Sequence, residues 1–289
     1  MSDASERIST DALATEESDG SVADQSDDPL EILVVTVDEY YYVPKFLRGV
    51  LDADDVRVVG ITAMSPTLGT ESTPRFAWRL YRTFGPRVFA KHVGFYAKHA
   101  LLDAANRRLG RGSAYSPRTL AERNDIEYRH VADVNDPEYV GYAESLAPDV
   151  VVSVAATQKF ESGLLGVPDE AAINLHSSLL PEYRGVSPSF WTLRNGESET
   201  GVTVHLMDEE IDTGDVLVQR PLSIRDDDTL HSLNERVAER GSDLLLDALR
   251  GLRDGEVDPT PIDPDEGSYY SLPDRSDVEQ FLDRGRRFY

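Results

Sequence analysis

Two segments carry residue types that suit carbonyl chemistry. The run INLHSSLLPEYRG, Ile173 to Gly185, sets an amide, Asn174, and an imidazole, His176, two positions apart in an apolar stretch. Residues two apart in a strand share a face, so Ile173 and Leu175 face one layer while Asn174 and His176 face the other together. SSLLP ends the strand just beyond them. Ligands of open α/β sheets bind outside the carboxyl ends of the strands. The pair therefore projects where such folds hold substrates. The plain structural alternative is two hydrogen-bonded polar side chains closing a strand.

The second segment is TGVTVHLMDEEIDTGDVLVQ, residues 200–219. A strand ends here in a carboxylate-rich turn and returns. Asp208, Asp212 and Asp215 are read either as turn residues, for which Asp and Gly are favoured, or as the carboxylates of a site. His205 alternates with Val204 and Leu206; it is read as a satisfied structural histidine, with a place near Asp208 as the alternative. An amide and an imidazolium are suitable donors to an oxyanion, and one preorganised donor is commonly worth about 3–4 kcal/mol. A carboxylate beside the imidazole favours its charged form.

The elements that must position these groups follow from periodicity. EILVVTV (31–37) and VRVVGITAM (56–64) are apolar strands, and IEYRHV (126–131) and DVVVSVA (149–155) follow, with helical patterns before each. Such alternation indicates a parallel sheet with crossovers. A helix is expected to start near Pro44, a first-turn proline. The strands at 172–176, 201–207 and 215–222 have short links, and the last two are expected antiparallel at the sheet edge. The spacing of Leu230, Leu233, Val237, Leu244, Leu245 and Leu249 predicts a helix over 229–252. The expected fold class is α/β: a mostly parallel Rossmann-like sheet flanked by helices.

Composition limits the rest. The chain of 289 residues has no cysteine and no apolar run long enough to span a bilayer. Its N-terminus has no apolar signal region, so a cytoplasmic location is expected. Net charge is −24, and only Lys45, Lys91, Lys98 and Lys159 are lysines. Abundant Asp and Glu with scarce Lys read as a surface adapted to high salt, where self-repulsion is screened. Residues 1–29 carry nine acids and one Arg and read as a disordered acidic tail. Residues 75–118 stand apart, with ten Arg or Lys against one acid, Asp103, and interleaved aromatics. This segment reads as helix broken at Gly85-Pro86.

Taken together, N-x-H-x-SLLP-x-x-RG and the later G-V-T-x-H-x-M-D-x-x-x-D-T-G-D resemble the formyltransferases that use 10-formyltetrahydrofolate. The resemblance covers roughly residues 30–250 and is strongest over 149–250. It implies a catalytic trio of Asn174, His176 and Asp212, with 10-formyltetrahydrofolate as co-substrate and no metal. It also implies that the pterin lies against the backbone of AATQKFE (155–161), where Gln158, Lys159 and Phe160 depart from the more apolar loop of many relatives. Met207, Asp208 and Ile211 then form the facing wall. The domains expected are a catalytic domain over 30–252, with a basic helical insertion at about 75–118, and a C-terminal extension over 253–289.

The acceptor is narrowed by departures. The loop TVDEYYYVP after the first strand has no glycine to cradle a ribonucleotide phosphate. Methionyl-tRNA enzymes carry a C-terminal barrel of about one hundred residues, and 37 residues follow Leu252 here. The acidic surface also suits a phosphate backbone poorly, which argues against tRNA. Formyl-folate hydrolases carry an extra N-terminal regulatory domain. The remaining branch formylates the amine of a small, anionic acceptor such as a nucleotide-linked amino sugar; methionyl-tRNA formyl transfer is the runner-up. A non-catalytic folate-binding protein on the same fold is the alternative from another class, and the intact trio argues against it. Arg184, Gly185, Trp191, Arg79 and Arg82 are the expected acceptor contacts, and Tyr269, Tyr270 and Arg275 are candidates to fold over the site. For the basic segment three readings stand: phosphate binding, docking to an anionic membrane or lipid-linked acceptor, or pairing with the chain's own acids. The oligomeric state is left open.

Overall fold

A computed structural model describes residues 28–67 and 71–289. The acidic tail expected over 1–29 lies outside the described residues except at its last two positions. The described residues form nine strands: β1 (Leu30–Val37), β2 (Val56–Met64), β3 (Glu127–Val131), β4 (Val150–Val154), β5 (Ala171–His176), β6 (Arg184–Gly185), β7 (Glu199–Leu206), β8 (Val216–Ser223) and β9 (Tyr269–Tyr270). Eight α-helices accompany them among the described residues: α1 (Tyr42–Leu51), α2 (Thr73–Leu109), α3 (Pro117–Arg123), α4 (Pro137–Ser145), α5 (Ser162–Leu165), α6 (Pro188–Asn195), α7 (Leu230–Arg253) and α8 (Arg275–Asp283).

Seven strands make one sheet in the order β3-β2-β1-β4-β5-β7-β8, parallel from β3 to β5 and antiparallel at β7 and β8. The order reverses between β1 and β4, which opens a crevice at their carboxyl ends. Alternation assigns the faces. Ile32, Val34, Val152, Ile173 and Leu175 join one core with α1 and α7, whereas Leu33, Val35, Val151 and Ala172 join a second core with α4 and α5. Gly241 of α7 lies against Leu175, where an added Cβ would meet the leucine at 3.2 Å. That close approach seats α7 directly on the strand carrying Asn174 and His176.

Helix α1 starts two residues before Pro44, earlier than its proline suggests. The Glu39 carboxylate accepts the N–H groups of Tyr42 and Val43 at 2.6 and 3.0 Å, which satisfies the first-turn donors. Helix α2 is two helices across a break at Gly85 (φ 73°, ψ 168°), as Gly85-Pro86 indicates. A capping box at Thr229 and Ser232 begins α7.

Leu245 on α7 is fully buried. Leu245→Ala is expected to lower unfolding free energy by about 2–5 kcal/mol, through lost transfer energy and the cavity left behind. Equilibrium denaturation measures it; an unchanged midpoint would mean that α7 is not clamped on the sheet.

Candidate active site

The loop leaving β5 is built to turn back over its own strand. Thr203 Oγ1 donates to Ser178 O at 2.7 Å, Gln219 Nε2 donates to Leu180 O at 3.0 Å, and Ser178 Oγ donates to Glu182 O at 2.7 Å. These bonds set the Tyr183 carbonyl over His176, whose Nε2 lies 2.9 Å from it. Two residues on, Gly185 (φ 94°) donates its N–H to Asp212 Oδ2 at 2.7 Å. Asp212 comes from the turn between β7 and β8. That turn closes tightly, with Leu206 N donating to Asp215 O at 2.9 Å and Gly214 so near Leu206 O that a Cβ would sit 2.0 Å from it.

Asp212 is the hub of the site. His176 Nδ1 stands 3.4 Å from its Oδ2, and Asn174 Nδ2 donates to its Oδ1 at 3.3 Å. His205 Nε2 lies 3.6 Å from Oδ1 and 3.1 Å from Asn174 Nδ2. The register of β5 against β7 explains the last contact, because Asn174 and His205 are direct cross-strand partners. Ala155, Tyr183, Ser187 and Asp212 all take left-handed backbone angles around this point. Such strain in non-glycine residues collects at functional sites.

A cavity of about 800 Å³ opens on the hub. One wall is 153–160 and the facing wall is Met207, Asp208, Glu210 and Ile211. Lys159 Nζ and Glu210 Oε1, one from each wall, lie 3.4 Å apart. The Asp212 carboxyl is held down at about 2 against its burial, by the His176 and His205 imidazoles and the Gly185 N–H. It is therefore ionised at neutral pH. Burial pushes His176 down, and this outweighs the pull of Asp212 and the Tyr183 carbonyl. Desolvation thus works against the imidazolium that the carboxylate favours. Both its nitrogens nonetheless face acceptors, so an arriving proton finds its partners in place.

Residues 97–249 match the sequence profile of the formyl transferases. This stretch exceeds half of the chain. The chain belongs to the formyl transferase family. Among its relatives, the methionyl-tRNA formyltransferase of Trichlorobacter lovleyi is 36% identical over 176 residues, 60% of this chain and 56% of that protein. The chain thus spans little more than half the length of that relative. A sugar N-formyltransferase from Shewanella sp. shares the fold with a TM-score of 0.53 and 22% identity, over 84% of this chain and 77% of that one. Glycinamide ribonucleotide transformylase 1 from Symbiobacterium toebii shares it with a TM-score of 0.55 and 17% identity, over 81% and 95%.

The expected residues fall into three groups. Asn174, His176 and Asp212 converge on the cavity. Gln158, Lys159, Phe160, Met207, Asp208, Ile211 and Gly185 also line it, though several side chains are engaged elsewhere. Gln158 is latched to Val134 N and Ala132 O, Phe160 is buried in the second core, and Asp208 accepts from Glu210 N and Thr213 Oγ1. Gly185 orients Asp212 where an acceptor contact was expected.

The third group lies away from the cavity and corrects the sequence reading. Trp191 is buried beneath the loop, stacked 4.6 Å from Tyr270, with Nε1 donating to Val186 O and Ser271 O. Arg184 donates to Pro264 O. Arg79 pairs with Glu71 at 2.5 Å, and Arg82 is exposed on α2; neither lines the cavity. Arg275 pairs with Glu279 on α8. By contrast, Tyr269 and Tyr270 return over the site as β9, paired with β6, and Tyr269, Ser271 and Leu272 line the cavity. Leu230 and Asn234 enter from α7 and had no signal in the sequence. His205 had one, its strand alternation, but the structural reading was preferred there.

Acid should destabilise the protein in a defined window. His92, His99, His176 and His231 are all pushed below the usual 6.5, in each case first by burial. Above 6.5 these rings are neutral folded or unfolded. Below it the unfolded chain binds protons that the native rings refuse, so stability falls as pH drops, by at most about 1.4 kcal/mol per pH unit for each ring. Thermal midpoints at fixed salt should decline from pH 7.5 to 5.5, and His176→Asn should decline less steeply. A flat profile across that range would contradict the burial account.

Proposed function

We propose that this chain transfers the formyl group of 10-formyltetrahydrofolate to the primary amine of a small acceptor. The observation that carries the reading is the convergence of His176 and Asn174 on the ionised Asp212, at 3.4 and 3.3 Å, in a cavity sized for a folate. An amine nitrogen bonds to the formyl carbon, the bond from that carbon to the folate N10 breaks, and the amine proton ends on N10. Asn174 supplies an amide donor to the carbonyl oxygen as it gains charge. Its long bond to Asp212 is the one a substrate oxygen displaces, since such contacts are often loose before substrate binds. His176, facing acceptors at both nitrogens, relays the amine proton, and Asp212 stabilises its imidazolium form. His205, in contact with both Asn174 and Asp212, fixes the amide.

The facing walls at 153–160 and 207–211 would hold the pterin, the first mainly by backbone groups. For the acceptor, the fold-over of Tyr269, Ser271 and Leu272 supports a small molecule, such as a nucleotide-linked amino sugar. The expected phosphate contacts at Arg79 and Arg82 lend this no support. A second reading, methionyl-tRNA as acceptor, is favoured by the 36% identity to the relative of that name. Incubating the chain with 10-formyltetrahydrofolate and, separately, amino-sugar nucleotides and charged initiator tRNA decides between them. Mass spectrometry should find a formyl group on the sugar amine. Formyl on the methionyl-tRNA alone would select the second reading, and formyl on neither would leave the folate reading without its acceptor class.

A further inference from the structure

Helix α2 carries a surface that the proposed reaction does not use. Six of the nine large hydrophobic residues exposed among the described residues lie on it: Trp78, Tyr81, Val93, Leu101, Leu102 and Leu109. Leu101 is 72% exposed, Trp78 61% and Leu109 60%. Arg75, Arg82, Arg87, Lys91, Lys98 and Arg108 are exposed beside them, with no carboxylate partner among the described residues. Helical geometry aligns Val93, Ala97, Leu101 and Ala104 in one outward stripe, with Arg87, Lys91 and Lys98 along its flank.

The inner face explains why the outer one has this composition. His92, Phe95, Tyr96 and His99 turn inward; Phe95 packs 5.1 Å from Tyr41, and His92 Nδ1 lies 2.8 Å from the Tyr289 hydroxyl. Asp103, the only acid in the segment, also faces in. It accepts from Tyr115 N, Ser116 Oγ and Thr119 Oγ1 at 2.6–2.8 Å. The outward face of α2 is thus left free of acids, in a chain whose net charge is −24.

We propose that this face of α2 docks the protein on an anionic lipid bilayer, as a peripheral contact. A bilayer surface uses both halves of the pattern. Its anionic headgroups attract the arginines and lysines, and its interfacial zone takes up tryptophan and aliphatic side chains beside a basic flank. A nucleic acid would use the charges and the stacked Trp78–Tyr81 pair, 5.5 Å apart, but gives Val93, Leu101 and Leu109 no role. No helix among the described residues is long and apolar enough to cross a membrane, so the contact lies along the surface.

The test uses the full chain with vesicles of phosphatidylcholine alone or mixed with phosphatidylglycerol. Binding to the mixed vesicles only is expected, with a blue shift of emission from Trp78; the other tryptophan, Trp191, is already buried. Replacing Arg87, Lys91 and Lys98 together by Gln should weaken binding by about 100-fold, roughly five-fold per charge. Replacing Trp78 and Leu101 by Ser should weaken it by about ten-fold or more at unchanged charge. These residues are exposed, so circular dichroism of the variants should be unaltered. The proposal is overturned if the full chain ignores anionic vesicles, or if the Ser variant binds as well as the parent. It is equally overturned if only RNA binds, or if vesicles bind only once residues 1–27 are removed, since the acidic tail would then be the occupant of this face.

Discussion

Asp212→Asn is expected to lower the proposed formyl transfer by about 10²–10⁴-fold, the range seen when a positioned acid–base partner is removed. The substitution keeps the shape of the hub. An asparagine oxygen still accepts the Gly185 N–H, which now lies 2.7 Å from the carboxylate, and asparagine tolerates the left-handed angle at this position (φ 55°). What disappears is the charge. His176, already pushed down by burial, loses the carboxylate that pulls it up, so it no longer takes a proton from the amine. Folate affinity, assigned in the proposed reading to the two walls, should stay near that of the parent, while the thermal midpoint should fall, because a carboxyl held at about 2 contributes stability at neutral pH. The check is kcat, folate KM and folate Kd for parent and variant. A variant within a few-fold of the parent in kcat would show that Asp212 only closes a turn.

Gly185→Ala is the second large effect, and it acts through geometry rather than charge. Gly185 has φ 94°, and a Cβ there would sit 2.2 Å from the Tyr270 carbonyl oxygen. The left-handed angle alone costs a non-glycine residue roughly 1–2 kcal/mol. The clash must in addition part β6 from β9, because Tyr270 O is the partner strand's backbone. That parting withdraws the Gly185 N–H from Asp212 and lifts Tyr269, Ser271 and Leu272 from the cavity. Transfer should fall by about ten-fold or more with a lower thermal midpoint. Gly94→Ala is the control, since it lies inside α2 with nothing within 4 Å of an added Cβ. It should be neutral or stabilising by up to about 1 kcal/mol. Equal behaviour of the two alanines would contradict the close approach of β6 and β9.

The sheet was legible because its inner strands, β1, β4 and β7 among them, are mostly buried on both faces and read as apolar runs, bounded by turn residues. The alternation in β5 also placed Asn174 and His176 on one face, and Asp212 became legible through the DTGD turn. What stayed hidden depends on contacts far apart in sequence. His205 reaches Asp212 because β7 pairs with β5 in the register that sets it opposite Asn174, and alternation alone does not give a register. Leu230 and Asn234 enter the cavity only because α7 is seated on Leu175. Trp191 looked like a ligand contact, being an aromatic just after the RG turn; stacking on Tyr270 explains it instead. The arginines of α2 illustrate the reverse error. Local charge density suggested a binding site for the acceptor, whereas the break at Gly85 and the inward aromatics turn those arginines away from the cavity. The electrostatic balance at His176 is hidden from the sequence for a related reason. The neighbouring carboxylate is visible in the sequence pattern, but the burial that outweighs it is not.

The central claim is that the hub of Asn174, His176 and Asp212 is where the formyl carbon and the amine meet. The most direct test is a crystal structure of the chain with 5-formyltetrahydrofolate, a stable isomer of the proposed donor. The account predicts the pterin between 153–160 and 207–211, with the formyl group at the hub and its oxygen within about 3.2 Å of the Asn174 amide nitrogen. A folate bound elsewhere, or seated with its formyl group beyond the reach of Asn174 and Asp212, would contradict it.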